Sequence, residues 1–295
     1  MMIINIIQKI CLNLLSFCGL RITHSLANII AIIFFSRKSK KYCVAYKNLS
    51  ICFPDKPHSW IDNVAYESLK EYLKSILEAP YIWRVSKKQI DTFINKVYSA
   101  DIIVNAIKEN KGIIFMTPHH GSWELSGLVA ASKIKTYTMV KPLRNKILNN
   151  FALSGRKAKG SILVETDNAG VKTLLKALKN KSGVGILPDH TPKINQGVMS
   201  NFFNVPVNTT TLIHKLSKKN KVPIIYIFSE RLSRGKGFNI HVGLIDKSFY
   251  ESDEGKAADL LNKTLEGLVM KNINQYQWSY ERFRNRSGVK ESIYN

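Results

Sequence analysis

The stretch that decides the fold is residues 112–130, with the sequence GIIFMTPHHGSWELSGLVA. Its first part, residues 112–116, is short, apolar and rich in β-branched side chains, which is typical of a strand buried on both faces. Thr117 and Pro118 end this strand. Good helix formers with apolar side chains at near-helical spacing begin at Trp123. The sequence therefore predicts a strand that turns directly into a helix, with two histidines in the turn.

A histidine and a carboxylate at this turn are candidate catalytic residues. His119 and Glu124 are five residues apart, so in one continuous helix they would point about 140° apart. If His119 lies in the loop and Glu124 in the first helical turn, the carboxylate can reach one imidazole nitrogen. Such a carboxylate fixes the tautomer of an imidazole that takes a proton from an alcohol. The adjacent helix N-terminus would offer free N–H groups to an oxyanion or a phosphate.

The same residues also have a purely structural interpretation. His120 and Glu124 have the i, i+4 spacing of an ordinary pair on the surface of a helix. A short motif of this kind also occurs by chance. From the spacing alone, both interpretations stay open.

Residues 117–124, TPHHGSWE, resemble the His-x-x-x-x-Glu/Asp box of the glycerolipid acyltransferase superfamily. More narrowly, they are similar to the lipid A lauroyl/myristoyl acyltransferases, whose box commonly reads His, aromatic, Gly, Asn, Trp, Glu. Here His120 stands in the aromatic place and Ser122 in the Asn place, so the choice of histidine stays open. The resemblance implies that His119 and Glu124 are the catalytic residues.

Beyond the box, strand and helix patterns alternate along the chain. The predicted strands are residues 136–140, 162–165, 184–187, 222–228 and 237–244, and the predicted helices are residues 145–159, 169–180 and 256–271. This alternation predicts an α/β fold with a mixed, largely parallel central sheet flanked by helices. Ligands of such sheets bind at the carboxyl ends of the strands. His119 and the segment LPDHTP, residues 187–192, are both expected at that edge.

Two further segments carry candidate substrate-binding residues. LPDHTP resembles the family's second landmark, an Asp followed by His or Gln after a central strand, with Asp189 and His190 in the matching places. Arg156 matches an arginine between the two landmarks. The carboxylate would orient Arg156 or a substrate hydroxyl, and the guanidinium would bind phosphate through its forked donors. A turn carboxylate and a surface arginine are the structural alternatives.

The segment QYQWSYERFRNR, residues 275–286, resembles the family's C-terminal signature. The matching positions carried over are Trp278, Arg282 and Phe283. The arginine would clamp a sugar phosphate or a carboxylate, and the two aromatic side chains would lie at a membrane-facing rim. Alternatively, this segment only closes the fold.

The resemblance covers nearly the whole chain. It implies transfer of a fatty acyl chain from acyl carrier protein to a hydroxyl on an acyl chain of a phosphorylated glucosamine disaccharide lipid. This is the secondary, acyloxyacyl acylation of lipid A in lipopolysaccharide biosynthesis. The donor is acyl-acyl carrier protein and no cofactor is implied. No G-x-S-x-G nucleophile motif and no H-E-x-x-H metal motif is present, so we expect neither an acyl-enzyme nor a metal. An acyltransferase acting on a lysophospholipid or another glycolipid is the alternative.

The charge of the chain indicates an anionic partner. Forty-four Lys and Arg residues against 21 Asp and Glu give a net charge of +23, which attracts polyanions in a salt-dependent way. The basic residues are dispersed and no nucleic-acid-binding motif occurs. We therefore expect an acidic acyl carrier protein and an anionic inner-membrane surface as partners, and no nucleic acid. A basic binding module without chemistry would explain the charge equally well.

The N-terminal segment, residues 1–41, is predicted to be helical and membrane-associating, and residues 42–295 to form the catalytic domain. Eleven residues separate Lys9 from Arg21, fewer than the ~20 that cross a hydrocarbon core. The segment could span with tilt, lie in the interface as one or two helices, or form a buried hairpin. The basic residues that follow favour the inner membrane, with the catalytic domain on its cytoplasmic side. They are Arg37, Lys38, Lys40 and Lys41. The four cysteines, all within the first 52 residues, show no paired spacing, which fits a reducing compartment.

Overall fold

The computed structural model describes residues 2–34, 39–192, 196–284 and 293–294. Arg37 and Lys38 of the predicted basic cluster lie outside these residues. The helices are α1 (Met2–Phe17), α2 (Leu20–Phe34), α3 (Lys40–Cys52), α4 (His58–Arg84), α5 (Lys87–Phe93), α6 (Asp101–Lys108), α7 (Trp123–Lys133), α8 (Lys146–Ala158), α9 (Asn168–Lys179), α10 (Leu212–Asn220) and α11 (Glu254–Val269). The strands are β1 (Ile94–Tyr98), β2 (Ile113–Met116), β3 (Thr136–Val140), β4 (Ser161–Glu165), β5 (Gly183–Ile186), β6 (Gly197–Phe202), β7 (Val205–Thr210), β8 (Ile224–Arg231) and β9 (Phe238–Leu244).

A seven-stranded sheet with the order β1-β9-β8-β2-β5-β3-β4 forms the centre of the fold. The five strands from β8 to β4 are parallel. Strand β9 is antiparallel to β8 and parallel to β1. Strands β6 and β7 form a separate hairpin. The predicted α/β architecture, with a mixed and largely parallel sheet flanked by helices, is confirmed.

Strand β2 is buried on both faces of this sheet, as its composition predicts. Ile113 and Phe115 belong to one apolar cluster, whereas Ile114 and Met116 belong to the other. Because side chains alternate between the two faces of a strand, β2 contributes to both cores. All four side chains are at most 1% exposed. The chain beyond Met116 therefore leaves a rigid strand at the carboxyl edge of the sheet, where ligands of parallel sheets bind.

The first two helices lie against α4, the longest helix, and present an apolar face outward. On the inner side, Nε2 of His24 lies 2.7 Å from Oε2 of Glu78 in α4, and both side chains are buried. On the outer side, large apolar side chains are between 37% and 69% exposed. They are Ile6, Ile7, Ile10, Leu14, Phe17, Ile22, Leu26, Ile29, Ile32 and Ile33. Within the described parts of the chain, no helix combines the length and the apolar character needed to span a bilayer.

Helix α4 contains a proline, Pro80, and continues through this residue to Arg84. A proline inside a helix removes one hydrogen bond, but the buried Ile82 and Trp83 anchor the last turn in the core. Strand β1 was not predicted from the sequence. Most of its side chains are exposed, so they show no alternation of buried apolar and exposed polar residues.

Candidate active site

The two histidines lie in a tight turn between β2 and α7. Gly121 has φ +60, and a Cβ there would lie 2.1 Å from the carbonyl oxygen of Ser229, so only glycine fits this turn. The Gly121 N–H donates to the carbonyl of Gln275 at 3.0 Å, and the Ser122 N–H donates to that of Ser229 at 2.9 Å. The turn is thus fixed by backbone bonds to β8 and to the C-terminal segment. It leads directly into α7, as predicted.

His119 is paired with Asp189, at the end of the neighbouring strand β5. Its Nδ1 lies 2.8 Å from Oδ1 of Asp189, and its backbone N–H donates to Oδ2 at 2.7 Å. The aspartate is 1% exposed, whereas the imidazole is 16% exposed. One carboxylate therefore fixes both the backbone and the ring of His119.

The charge of Asp189 decides the tautomer of His119. Burial raises the pKa of the carboxyl, but the interactions with His119 outweigh it and hold this pKa well below its ordinary value. An ionised carboxylate can only accept, so Nδ1 of His119 carries the proton. The other nitrogen, Nε2, has no hydrogen-bond partner among the described residues. Nε2 therefore has a lone pair that is free to accept a proton, on a partly exposed ring.

Glu124 does not hold the imidazole, which corrects the expected His119–Glu124 hydrogen bond. Its carboxylate instead accepts two hydrogen bonds from Arg156, one from Nε at 2.9 Å and one from Nη2 at 2.5 Å. The indole Nε1 of Trp83 donates a third at 2.9 Å. Burial opposes ionisation of Glu124, but Arg156 outweighs it and lowers the pKa of the carboxyl. The family's box glutamate thus orients an arginine here, and the guanidinium is 20% exposed.

His120 is buried and faces away from any open space. Its ring stacks on Phe228 with centroids 3.9 Å apart, and Nε2 lies 2.8 Å from the carbonyl oxygen of Asn272. Burial lowers its pKa to about 3, so the ring is neutral. Since it is 0% exposed, no substrate can reach it. Of the two histidines, only His119 has a partly exposed ring, and His120, in the aromatic place of the box, packs in the core.

His190 lies directly against the candidate base. Its ring is parallel to that of His119, with the centroids 3.8 Å apart and an interplanar angle of 0°. The ring of Tyr280 covers the opposite face at 3.8 Å and 12°. Nε2 of His190 is 3.3 Å from Oε1 of Gln277. His190 is thus enclosed by protein groups on both faces.

The C-terminal segment fastens both loops that carry the candidate pair. The Gln277 N–H donates to the carbonyl of His119 at 3.0 Å, and the hydroxyl of Tyr280 accepts from the Thr191 N–H at 3.1 Å. Asn48 of α3 in turn donates to the carbonyls of Trp278 and Tyr280, both at 2.7 Å. These bonds join loops that are 70 residues apart in the chain.

Trp278, Arg282 and Phe283 lie in the core, which corrects the expectation of a membrane-facing rim. They are 1%, 2% and 1% exposed. The guanidinium of Arg282 donates to the carbonyl of Asn208 at 2.8 Å and to the hydroxyl of Thr209 at 3.2 Å. An arginine that is only 2% exposed cannot clamp a sugar phosphate from solvent. The alternative that this segment closes the fold describes it better.

A buried ion-pair network, not predicted from the sequence, supports the histidine turn from behind. The guanidinium of Arg231 donates to Glu78 at 2.6 and 2.8 Å, to Glu71 at 2.7 Å and to the carbonyl of Gly121 at 3.2 Å. Burial opposes ionisation of Glu78, but Arg231 outweighs it and lowers the pKa of the carboxyl to about 2. Leaving one member of such a buried pair alone costs roughly 3–5 kcal/mol. The network therefore ties α4 and β8 to the turn.

Other residues near the site were also missed. Trp83, Gln277 and Tyr280 contact the candidate residues, yet none has a sequence pattern that distinguishes it from a core side chain. Gln277 and Tyr280 are both within the C-terminal motif, residues 275–286, so their place in that motif was the one available signal. Within the described ranges, no group of three or more His, Cys, Asp and Glu side chains could hold a metal ion.

Comparison with known proteins identifies the family of the chain. The family model described as bacterial lipid A biosynthesis acyltransferase matches residues 2–285. A lipid A biosynthesis acyltransferase of Haemophilus influenzae is 25% identical over 261 residues, which cover 87% of this chain and 82% of the relative.

Two relatives from Escherichia coli K12 carry more specific names. A lipid A biosynthesis palmitoleoyltransferase is 24% identical over 256 residues, covering 86% of this chain and 82% of the relative. A lipid A biosynthesis lauroyltransferase is 22% identical over 258 residues, covering 87% and 82%. Since the family model spans nearly the full length, the chain belongs to the bacterial lipid A biosynthesis acyltransferase family.

Proposed function

We propose that this protein transfers a fatty acyl chain from acyl carrier protein to a hydroxyl of a lipid A precursor, with His119 as general base. The observation that carries the proposal is the bond between Nδ1 of His119 and the buried carboxylate of Asp189, 2.8 Å long. It leaves Nε2 as the basic nitrogen of a partly exposed ring. A base held by an orienting carboxylate is the arrangement that acyl transfer to an alcohol needs.

The proposed reaction is a direct transfer. Nε2 of His119 removes the hydroxyl proton while the acceptor oxygen attacks the thioester carbonyl, and Asp189 stabilises the imidazolium that forms. The tetrahedral intermediate then expels the thiolate of the carrier, which takes the proton back from Nε2. The acceptor gains an ester, the carrier leaves as a free thiol, and the imidazole returns to its starting state. No covalent bond to the protein is needed.

Arg156 is the proposed phosphate-binding residue, and Glu124 positions it. Two hydrogen bonds that the guanidinium donates to the carboxylate of Glu124 fix its plane. The Cζ atom of Arg156 lies 5.6 Å from the ring centroid of Trp83. The donors that Glu124 leaves free can bind a phosphate oxygen of the acceptor lipid or of the carrier's prosthetic group. An anion bound there would lie beside Glu124, whose carboxyl also interacts with the charge of His119.

The apolar outer face of α1 and α2 is the proposed contact with the anionic inner membrane. Amphipathic helices bury such faces at the headgroup boundary. Asn145 before α8 donates to Gln8 of α1 at 3.1 Å, and Leu143 in the same loop is 40% exposed. The apolar face thus continues beside the helix that carries Arg156. A lipid acceptor could reach His119 from this side.

The double variant Ile29→Glu/Ile33→Glu is expected to lose binding to vesicles of anionic phospholipid. Burying each isoleucine contributes roughly 1.5–3 kcal/mol, so the vesicle affinity should fall at least about tenfold. Sedimentation with vesicles measures the bound fraction. Val104→Glu, at another exposed apolar position, serves as the matched control. Equal binding of both variants would exclude the α1–α2 face as the membrane contact.

An assay with defined acceptors tests the proposed activity. The purified full chain, acyl-acyl carrier protein and a phosphorylated glucosamine disaccharide lipid should give a product heavier by one acyl chain in mass spectrometry. The length of the transferred chain follows from the same mass. A product formed only from lysophosphatidate would establish the alternative, an acyltransferase of glycerophospholipids. No product from any lipid would refute the proposal.

A further inference from the structure

The ring of His119 belongs to a stack of three rings, two of which take no part in the proton transfer. His190 lies between His119 and Tyr280, with both centroid distances 3.8 Å. The two outer members of the stack are held independently. Asp189 fixes His119, and the hydroxyl of Tyr280 is bonded to the Thr191 N–H. The middle ring therefore has little room to move.

We propose that His190 is a positioning residue for His119 and that Tyr280 supports it from behind. This inference rests on the proposed role of His119 as general base. The torsion that rotates an imidazole about its Cβ–Cγ bond is broad and roughly two-fold. One hydrogen bond to Asp189 restrains this torsion at a single atom of the ring. A flat ring 3.8 Å away fixes the plane of the imidazole, so that Nε2 keeps its direction.

The stack can also interact with the positive charge that forms on His119 during proton transfer. Burial, with a smaller effect of the neighbouring His119, lowers the pKa of His190 to about 4, so His190 is neutral near pH 7. Two neutral rings gain little from a parallel, face-to-face arrangement. When His119 accepts a proton, however, its positive charge lies over the face of a neutral ring, which is attractive. This interaction is stronger in the transition state than in the ground state, and such interactions raise kcat.

A direct contact of His190 with substrate fits the geometry less well. The two faces of its ring are covered by His119 and Tyr280, and its Nε2 is engaged by Gln277. Since the carboxamide oxygen of Gln277 accepts, Nε2 of His190 carries the proton. The stack and the hydrogen bond to Gln277 together hold the ring of His190 in a fixed position against the ring of His119.

His190→Leu and His190→Phe form the matched pair that tests this role. The leucine fills part of the space without a flat ring, whereas the phenylalanine keeps the ring and loses only the bond to Gln277. We expect His190→Leu to lower kcat by roughly tenfold to a hundredfold with KM within about twofold, since orientation is lost rather than binding. His190→Phe should recover kcat to within about threefold of the wild type. Equal kcat values for the two variants would overturn the proposal.

A second measurement needs no substrate and separates this inference from the proposed function. In the full chain labelled with 15N-histidine, NMR reports the tautomer of each imidazole, and the signals of His119 are those absent from His119→Ala. We expect the tautomer with the proton on Nδ1 in all three proteins, because Asp189 sets it, and His119 signals broadened by motion of the ring in His190→Leu but not in His190→Phe. His119 signals that are equally narrow in His190→Leu and in the wild type would contradict the positioning role. A wild type that transfers no acyl chain would refute the function while this comparison still holds.

Tyr280→Leu and Tyr280→Phe provide a second pair if a His190 variant fails to fold. Both lose the hydroxyl that accepts from the Thr191 N–H, so their difference reports the ring alone. Tyr280→Leu should lower kcat below that of Tyr280→Phe by about threefold or more, with similar KM. Identical kcat values in this pair would also count against the stack.

Discussion

Replacing His119 by alanine is expected to lower kcat by roughly 10²–10⁴-fold, the usual contribution of a general base. The reason is that no other described imidazole can take over. His120 is 0% exposed, and the faces of His190 are covered by two rings. KM for the acyl-carrier donor should change little, because the imidazole acts on the acceptor hydroxyl. Initial rates of acyl transfer, measured with both substrates varied, give both parameters.

His58→Ala is the matched control for this variant. His58 is an exposed histidine at the start of α4, so its loss should leave kcat within about twofold of the wild type. Thermal unfolding of both variants checks that the fold is intact. Near-normal transfer by His119→Ala would refute the assignment of the base, whatever the outcome of the stacking experiments.

Asp189→Asn is expected to lower kcat by a similar factor, roughly 10²–10⁴-fold, because it disturbs the tautomer of His119. The carboxylate accepts both the backbone N–H and the imidazole Nδ1–H of this histidine. An asparagine has one acceptor oxygen and one NH₂ donor. If the NH₂ faces the ring, the proton moves to Nε2 and the base is lost; if it faces the backbone, two donors oppose each other. Either arrangement costs activity.

The tautomer and the pH profile separate this effect from a loss of stability. The pKa of Asp189 is below its ordinary value, so its ionised form stabilises the native state above the pKa of the unfolded chain. That stabilisation is lost only as the pH falls through the lower, folded value. Between about pH 6 and 9, unfolding of the wild type is therefore independent of the titration of Asp189 itself.

Asp91→Asn, at an exposed position of α5, controls for the loss of one negative charge. It should leave kcat and the tautomer of His119 unchanged, because solvent and salt screen the charge of an exposed carboxylate. Wild-type kcat in Asp189→Asn would show that the carboxylate only fastens the loop. Glu124→Gln would then be the next variant to examine for the missing orienting group.

The central strand and the turn were predictable because local signals determine them. The β-branched run ending at Met116, the glycine at 121 and the helix formers from Trp123 all favour the same local structure, and the structure follows them. Even the shared edge was predictable, since His119 and residues 187–192 both follow central strands. What the sequence could not decide is which carboxylate contacts the ring. Glu124 is nearer in the chain, but Asp189 is nearer in space.

The physical reason lies in the direction of the first turn of α7. The side chain of Glu124 points toward α4 and α8, where Trp83 and Arg156 supply three donors. A buried carboxylate must be hydrogen-bonded, and it binds most strongly to nearby charged donors such as a guanidinium. Whether those donors exist depends on packing between α4, α7 and α8. No spacing in residues 117–124 carries that information.

The C-terminal motif was misread for a related reason. Trp278 and Arg282 have the composition of a ligand-binding surface, since aromatic and arginine side chains are common at such surfaces. The same residue types also close a fold when the protein itself supplies their partners. Here Asn208 and Thr209 accept from the guanidinium, and a carbonyl accepts from the indole. Burial, which the sequence does not reveal, decides between the two.

The hydrogen bonds between residues 275–282 and the two loops that carry the candidate pair have a consequence for biosynthesis. During translation, the turn that contains His119 and the loop that contains Asp189 leave the ribosome long before residues 275–282, which fasten them. Domains fold as their chain emerges, at about 5–20 residues per second. For several seconds the nascent protein therefore carries both loops without the segment that fastens them, and the proposed base stays unfixed until residues 275–282 emerge.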